Sequence, residues 1–487
     1  MKLKYLPIED RHNIKKLKHS KNPDEIPEIL NSIFERKYTL QVLWEYKKWF
    51  YQLREEDLEK YPALKYGLVQ MKIQEGYLDE AKELLKTFNE DDYYYLFASI
   101  TMPGISTEEY KSIAYKARDL NYGHIPNMTL TAGRPSIMAG IWDLSEFSES
   151  LIEDPHCMDE IFDILFEEKS EEVAQVLMAE ILYQRDECYE ALVRIVGLIP
   201  FLKDRQDMKL LFVALTLQIY IMVLNNQVAT SEPLMEILRQ QISRVGLEEY
   251  IPNIDALEAW ASMYDGDYKK VTKWLRDKAP DEYARFCMLD LFRYMIKMRV
   301  YIIQGKYLAV TALASRILPL LEQGKRYMDL CELHMIWAMS DYARGDRKAA
   351  LEHIEVSLEL SEKYRYDRMI ADEGLRVFEL IKLYIQEKGS TAYAERLLKL
   401  SKKIALSHPH YLKSQLPEKP ALTDAEMNVL RLLEAGYTNA QIAEVTDTTI
   451  DNAKFHCKKI FSKLEVSNRY QAVRKAIELG ILEPIEI

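Results

Sequence analysis

Five glycines constrain what this 487-residue chain can fold into: Gly76, Gly266, Gly305, Gly345 and Gly389. Each opens the same kind of segment, in which a turn leads straight into an amphipathic helix: GYLDEAKELL, GDYKKVTKWL, GKYLAVTALA, GDRKAALEHI and GSTAYAERLL. The last four turns are 39, 40 and 44 residues apart (305−266, 345−305, 389−345). A period near 40 means antiparallel helix pairs stacked as a solenoid, because one pair cannot bury its apolar face alone. Neighbouring repeats then share one core and leave a curved concave surface, which is a candidate site. A hydrophobic content of 48% can fill such a core, and 16 Gly with 17 Pro are too few for a turn-rich β fold. The fold class expected is all-α.

The stretch EGYLDEAKELL resembles the turn and second helix of a tetratricopeptide repeat, so a TPR-like sensor or interaction domain is expected over residues 39–406. Between residues 100 and 260 the glycine turns lapse. Helical patterns at 171–182, 208–224 and 233–245 continue the array there without defining its boundaries. Residues 1–38 are charged, and Pro23 and Pro27 break any long helix, so they read as an irregular lead-in to a short helix near 29–36. One stretch departs from the pattern. Residues 102–147 hold 7 of the 33 Gly and Pro residues, and Arg134, Ser136, Trp142 and Asp143 are candidates to line a pocket there. A structural loop capping a helix bundle accounts for the same residues.

The C-terminal stretch, 422–482, reads as four short capped helices. Thr423 with Glu426 forms a capping box and Gly436 supplies the left-handed stop. Thr438 with Gln441 repeats the box for a helix ending near Val445, before the polar turn Thr446, Asp447, Thr448. Thr449 caps the third helix, Ser467 opens the fourth and Gly480 ends it. On the third helix Ala453, Cys457, Ile460 and Leu464 share an inward stripe, leaving Asp451, Lys454, Phe455, Lys458, Lys459 and Ser462 outward. Such a face suits a major groove: lysines donate to guanine or to phosphate, and Phe contacts a thymine methyl.

These residues, among them Leu422-Thr423, Val429-Leu430, Asn439, Ile442-Ala443, Lys454, Ile460, Lys463-Leu464 and Asn468-Arg469, resemble the DNA-binding domain of the LuxR family of bacterial transcription regulators over about 60 ungapped residues. The resemblance implies a helix-turn-helix made of helices two and three. It places Lys454, Phe455 and Lys458 at groove-reading positions, with Thr438, Thr449, Asn452 and Lys459 completing the expected DNA contacts. It makes helix four the dimer contact. The chain departs from the pattern at Thr446 and Thr448, at Asn452-Ala453 where relatives carry Thr-Val, and at Ala440 where a basic residue is common. The turn changes loosen the small core, and the lost cation lowers affinity for phosphate. The whole chain resembles the long MalT-type LuxR regulators, in which a nucleotide-binding domain precedes a helical-repeat sensor. No G-x-x-x-x-G-K-[ST] occurs, so that ATP dependence is not expected.

Net charge is −12, and from Pro420 onward 8 Lys+Arg face 10 Asp+Glu. DNA binding must therefore be local to one helix face and assisted by dimerisation. Five scattered cysteines without a C-x-x-C pair read as buried hydrophobes, with no metal and no cofactor. The N-terminus has no apolar signal core, and the longest apolar run, 210–224, is shorter than a membrane span, so a cytoplasmic location is expected. Tyr93, Tyr94 and Tyr95 read as packing. His408-Pro409-His410 reads as linker, giving a linker at 407–420 and a DNA-binding domain at 421–487. The function implied is a sequence-specific transcription regulator, a homodimer on double-stranded DNA, with a repeat domain that senses a small molecule or a protein. The alternative is an adaptor whose helix-turn-helix no longer reads DNA. An enzyme is not expected, since H-E-x-x-H, G-x-S-x-G and dinucleotide fingerprints are absent.

Overall fold

Two kinds of helix alternate through the middle of the chain, and their burial explains the architecture. Met208–Leu224 buries thirteen of its seventeen residues, whereas Cys188–Asp204 buries only Ala191, Ile195, Ile199 and Leu202. A helix apolar on all sides must be surrounded, and one with a single stripe lies on the outside. The computed structural model describes residues 5–19, 22–36, 38–120, 134–284, 286–413, 422–464, 466–478 and 481–482. Over these it contains 28 α-helices and no strand. The chain divides into two compact units, Met1–Lys413 and Ser414–Ile487.

The tandem array of the first unit comprises α1 (Ser170–Gln184), α2 (Cys188–Asp204), α3 (Met208–Leu224), α4 (Val228–Arg244), α5 (Ile251–Asp265), α6 (Tyr268–Asp277), α7 (Leu291–Ile303), α8 (Tyr307–Gln323), α9 (Tyr327–Arg344), α10 (Arg347–Tyr364), α11 (Gly374–Lys388) and α12 (Ala392–Ser407). Each helix packs on the next in sequence, and each odd-numbered helix also packs on the next odd-numbered one. The odd helices thus form an inner layer, and the even helices α2 to α10 bridge successive inner helices from outside. A further pair, Pro62–Glu75 and Leu78–Leu85, is joined across Gly76, whose φ is +81°. A Cβ there would meet Leu320 Cδ2 of α8 at 2.2 Å, so the turn needs glycine for space as well as for its dihedral.

Two expectations are corrected here. The lead-in is helical over Ile8–His19 and Glu25–Ile33, and Leu6, Ile14, Leu17, Leu30 and Ile33 join the main core. Pro27 sits in the first turn of its helix, where backbone N–H groups have no intrahelical partner, so it breaks nothing. Residues 408–412 are not a free linker either: His408, Tyr411 and Leu412 are buried in the first unit. Tyr411 stacks on Tyr264 with ring centroids 3.8 Å apart, and the His408 ring meets the Tyr264 ring edge-on at 5.0 Å. Residues 414–420 of that expected linker, Pro417 and Pro420 among them, lie outside the described residues, as does Gly480. Tyr93 and Tyr94 pack with Tyr66 and Phe97, the last two stacked at 4.6 Å. The apolar run 210–224 falls within α3, and no helix among the described residues is long and apolar enough to cross a membrane.

Candidate functional site

The second unit is built from α13 (Asp424–Glu434), α14 (Asn439–Val445), α15 (Ile450–Lys463) and α16 (Arg469–Glu478). Val429, Leu430, Leu433, Ile442, Ala453, Cys457, Ile460 and Leu464 form its core. The caps define where each helix starts. Thr423 Oγ1 accepts from Glu426 N while Glu426 Oε2 accepts from Thr423 N at 2.8 Å, and Lys463 Nζ reaches the same oxygen at 2.5 Å. Burial pushes the Glu426 carboxyl up, but Lys463 and the Thr423 N–H outweigh it and hold it below the usual range. Thr438 and Gln441 form the second box, and Thr449 accepts from Asn452 N at 3.2 Å. The fourth helix differs from expectation in its cap: Asn468 accepts from Gln471 N at 2.9 Å, one residue beyond Ser467.

The α14–α15 turn is closed by Asp447 in the left-handed region, at φ 51°. Thr446 Oγ1 donates to Ile442 O at 2.7 Å and lies 3.0 Å from Thr448 Oγ1. These hydroxyls occupy the turn, and beside them lies a hollow of about 540 Å³ bordered by Val445, Ala453 and His456. On α15, Asp451, Asn452, Lys454, Phe455, Lys458, Lys459 and Ser462 are exposed, Phe455 at 51%. Lys454 Nζ sits 3.3 Å from Asp451 Oδ1, and Lys459 Nζ lies 4.7 Å above the Phe455 ring. Lys458 has no ion-pair partner among the described residues. The face therefore offers one unengaged ammonium, two weakly engaged ones and an aromatic plate. The hydroxyls of Thr438 and Thr449 are spent on their helix caps.

In the first unit, the inner ends of α1, α3, α5, α7 and α9 converge with residues 134–136 and 369–373 on a cavity of about 100 Å³. Arg134 and Ser136 line it; Trp142 and Asp143 do not. The Trp142 indole N–H donates to Ile100 O, and Asp143 accepts from Met328 N at 2.9 Å; both border a separate, smaller hollow of about 30 Å³ beside Pro103 and Arg326. Arg326 donates to Ala139 O and Gly140 O, both at 2.9 Å, fastening the same loop to α9. Around the cavity Glu332 accepts from Arg134 at 2.5 Å and from Arg299 at 2.8 Å, and Arg299 also donates to Glu373 at 2.9 Å. Although burial raises the Glu332 carboxyl, the two guanidiniums overcome it and keep it low. Glu180 accepts from Ile137 N and Met138 N at 2.8 and 3.1 Å, and burial pushes its carboxyl up to about 6. Rings from three successive inner helices form one wall: Tyr183, Tyr220 and Trp260, with neighbouring centroids 6.5 and 4.6 Å apart.

Glu180, Tyr220, Trp260, Arg299 and Glu332 carry this cavity and were missed from the sequence. A usable signal existed in Glu180 and Arg299, which interrupt the apolar runs VLMAEIL and MIKMRVYII on helices too apolar to lie at a surface.

Residues 420–476 match the family model GerE, bacterial regulatory proteins of the luxR family. The response regulator protein VraR of Staphylococcus aureus, of Staphylococcus saprophyticus and of Staphylococcus epidermidis is in each case 42% identical over 62 residues, which is 13% of this chain and 30% of VraR. The similarity thus spans less than a third of those relatives and lies in the C-terminal region. The second unit is a LuxR-type helix-turn-helix domain.

Proposed function

We propose that this chain is a sequence-specific transcription regulator that binds double-stranded DNA as a homodimer through its C-terminal domain, residues 421–487. The observation that carries this reading is the outward face of α15, where Lys454, Phe455, Lys458 and Lys459 stand exposed on a LuxR-type recognition helix. Lysines donate to phosphate and guanine, and the exposed Phe455 ring meets a thymine methyl. The VraR relatives are response regulators by name, which agrees with a regulatory role. The tandem array, within residues 39–406, is the part that receives a small molecule or a protein, as in the MalT-type regulators that the chain resembles. An effector there changes DNA binding only by favouring one arrangement of the chain over another. The protein acts in the cytoplasm, where its DNA is.

The test is genome-wide DNA occupancy of the wild type beside a Lys454→Ala, Lys458→Ala double variant. Discrete peaks sharing a palindromic sequence, lost in the variant, are expected. Absence of wild-type peaks in cells that hold abundant folded protein would sink the reading in favour of a protein-binding adaptor.

A further inference from the structure

The charges around the cavity of the first unit do not balance. Glu332 is matched by Arg134 and Arg299, Glu373 by Arg299, and Asp372 by Arg368. Glu180 forms no ion pair among the described residues; Arg134, already held by Asp329 and Glu332, acts on it only from a distance. It is 8% exposed, and the Ser136 hydroxyl with the backbone N–H groups of Ile137 and Met138 orients its carboxylate without supplying a counter-charge. A buried carboxylate with no counter-ion is costly, and this one borders an open cavity. The guanidiniums on the wall are already committed to carboxylates, so an anionic ligand would find no free positive charge.

The aromatic wall has the same preference. Arg368 already covers the Tyr183 ring at 5.6 Å and Tyr411 stacks on Tyr264 at 3.8 Å, whereas Tyr220 and Trp260 meet no cation among the described residues and pack only on rings of the same wall, Tyr220 on Tyr183 and Trp260, and Trp260 on Tyr264. Both line the cavity, and neither the Tyr220 hydroxyl nor the Trp260 indole N–H has a hydrogen-bond partner among the described residues. Ring faces attract a desolvated cation, most strongly that of Trp.

We propose that this cavity binds a small organic ammonium ion, with Glu180 as its counter-ion and Tyr220 and Trp260 as its aromatic wall. The proposal rests on the reading of the tandem array as the sensing part of the chain. Titration calorimetry on the full-length protein tests it with three probes of one shape: butylammonium chloride, 1-butanol and sodium butyrate, at constant ionic strength and pH 7.5.

Saturable binding of butylammonium alone is expected, with Glu180→Gln weakening it about tenfold or more through loss of a charge-assisted contact. Trp260→Leu should weaken it more than Trp260→Phe, which keeps a ring. No saturable binding of butylammonium, equal binding of 1-butanol, or undiminished binding by Glu180→Gln would overturn the proposal. The three-probe comparison uses wild-type protein alone and stands even where a variant fails to fold. Binding of butyrate alone would overturn the ammonium class and leave the sensing reading intact. Butylammonium binding that leaves operator affinity unchanged would support the proposal and remove the sensing reading.

Discussion

The two units handle charge in opposite ways. Around the cavity of the first, Arg299 and Glu332 are 4% and 5% exposed and held in a network that also includes Arg134 and Glu373. On α15 of the second, Lys454, Lys458 and Lys459 are exposed and only loosely engaged. Buried pairs are strong in a low-dielectric interior but leave a large penalty when one partner is removed. Exposed lysines contribute little to folding, and for that reason remain free to exchange water and counter-ions for phosphate. Charge thus holds geometry in the first unit and stays available for binding in the second.

The sharpest way to break this contrast is Arg299→Ala. It leaves Glu332 with one partner and Glu373 with no guanidinium, and should cost about 3–5 kcal/mol of stability in urea unfolding of the first unit. Lys458→Ala should change stability by less than about 0.5 kcal/mol.

A second buried carboxylate sharpens the point through pH. Burial pushes the Glu249 carboxyl up to about 7, against the Thr39 hydroxyl that donates to it at 2.7 Å. Between its ordinary value and about 7, the folded chain keeps a proton that the unfolded chain has lost, so this group lowers stability as pH rises through that window. Glu249→Gln should therefore unfold at higher urea than wild type at pH 8, by up to about 3 kcal/mol, and match it near pH 4.

On the second unit, Lys454→Ala with Lys458→Ala should weaken operator binding by about 2 kcal/mol and reduce the slope of log K against log salt by about two, with unfolding unchanged. Filter-binding or anisotropy titrations between low and moderate salt would show it. A slope that stays the same would mean these lysines do not reach DNA. The smallest effect is on the capping box: Thr423→Ala should lower the stability of the second unit by about 1 kcal/mol, seen as a shift in thermal midpoint.

The turns of the array were legible only where they use glycine; between residues 100 and 260 helical periodicity continued the array without giving its boundaries. Turns within helix pairs fall at Asp186, Asn226, Gly266, Gly305 and Gly345, all with positive φ and spaced 40, 40, 39 and 40 residues apart. The second set, between pairs, includes Gln206, Gly246, Lys325 and Arg365, also with positive φ. The repeat therefore runs unbroken through the stretch where the glycine pattern lapses. Asp and Asn tolerate the left-handed region nearly as a glycine does, while Gln, Lys and Arg are carried into it by the packing of the helices on either side. A search for glycine alone cannot see such turns.

What the sequence determined by itself is local. Caps such as Thr423 and Thr438, the stop at Gly436, the inward stripe of Ala453, Cys457, Ile460 and Leu464, and the outward lysines follow from short-range hydrogen bonding and a 100° helical step. Arg134 and Ser136 were candidates from the sequence, but tertiary structure alone decided that they share a cavity with Glu180, Tyr220 and Trp260. It brings Arg134 to Asp329 and Glu332, 195 and 198 residues away, and Tyr183 to Asp372, 189 residues away. Periodicity states which face of a helix is buried, but not which distant carboxylate or ring that face will meet, because the partner is set by how whole helices stack.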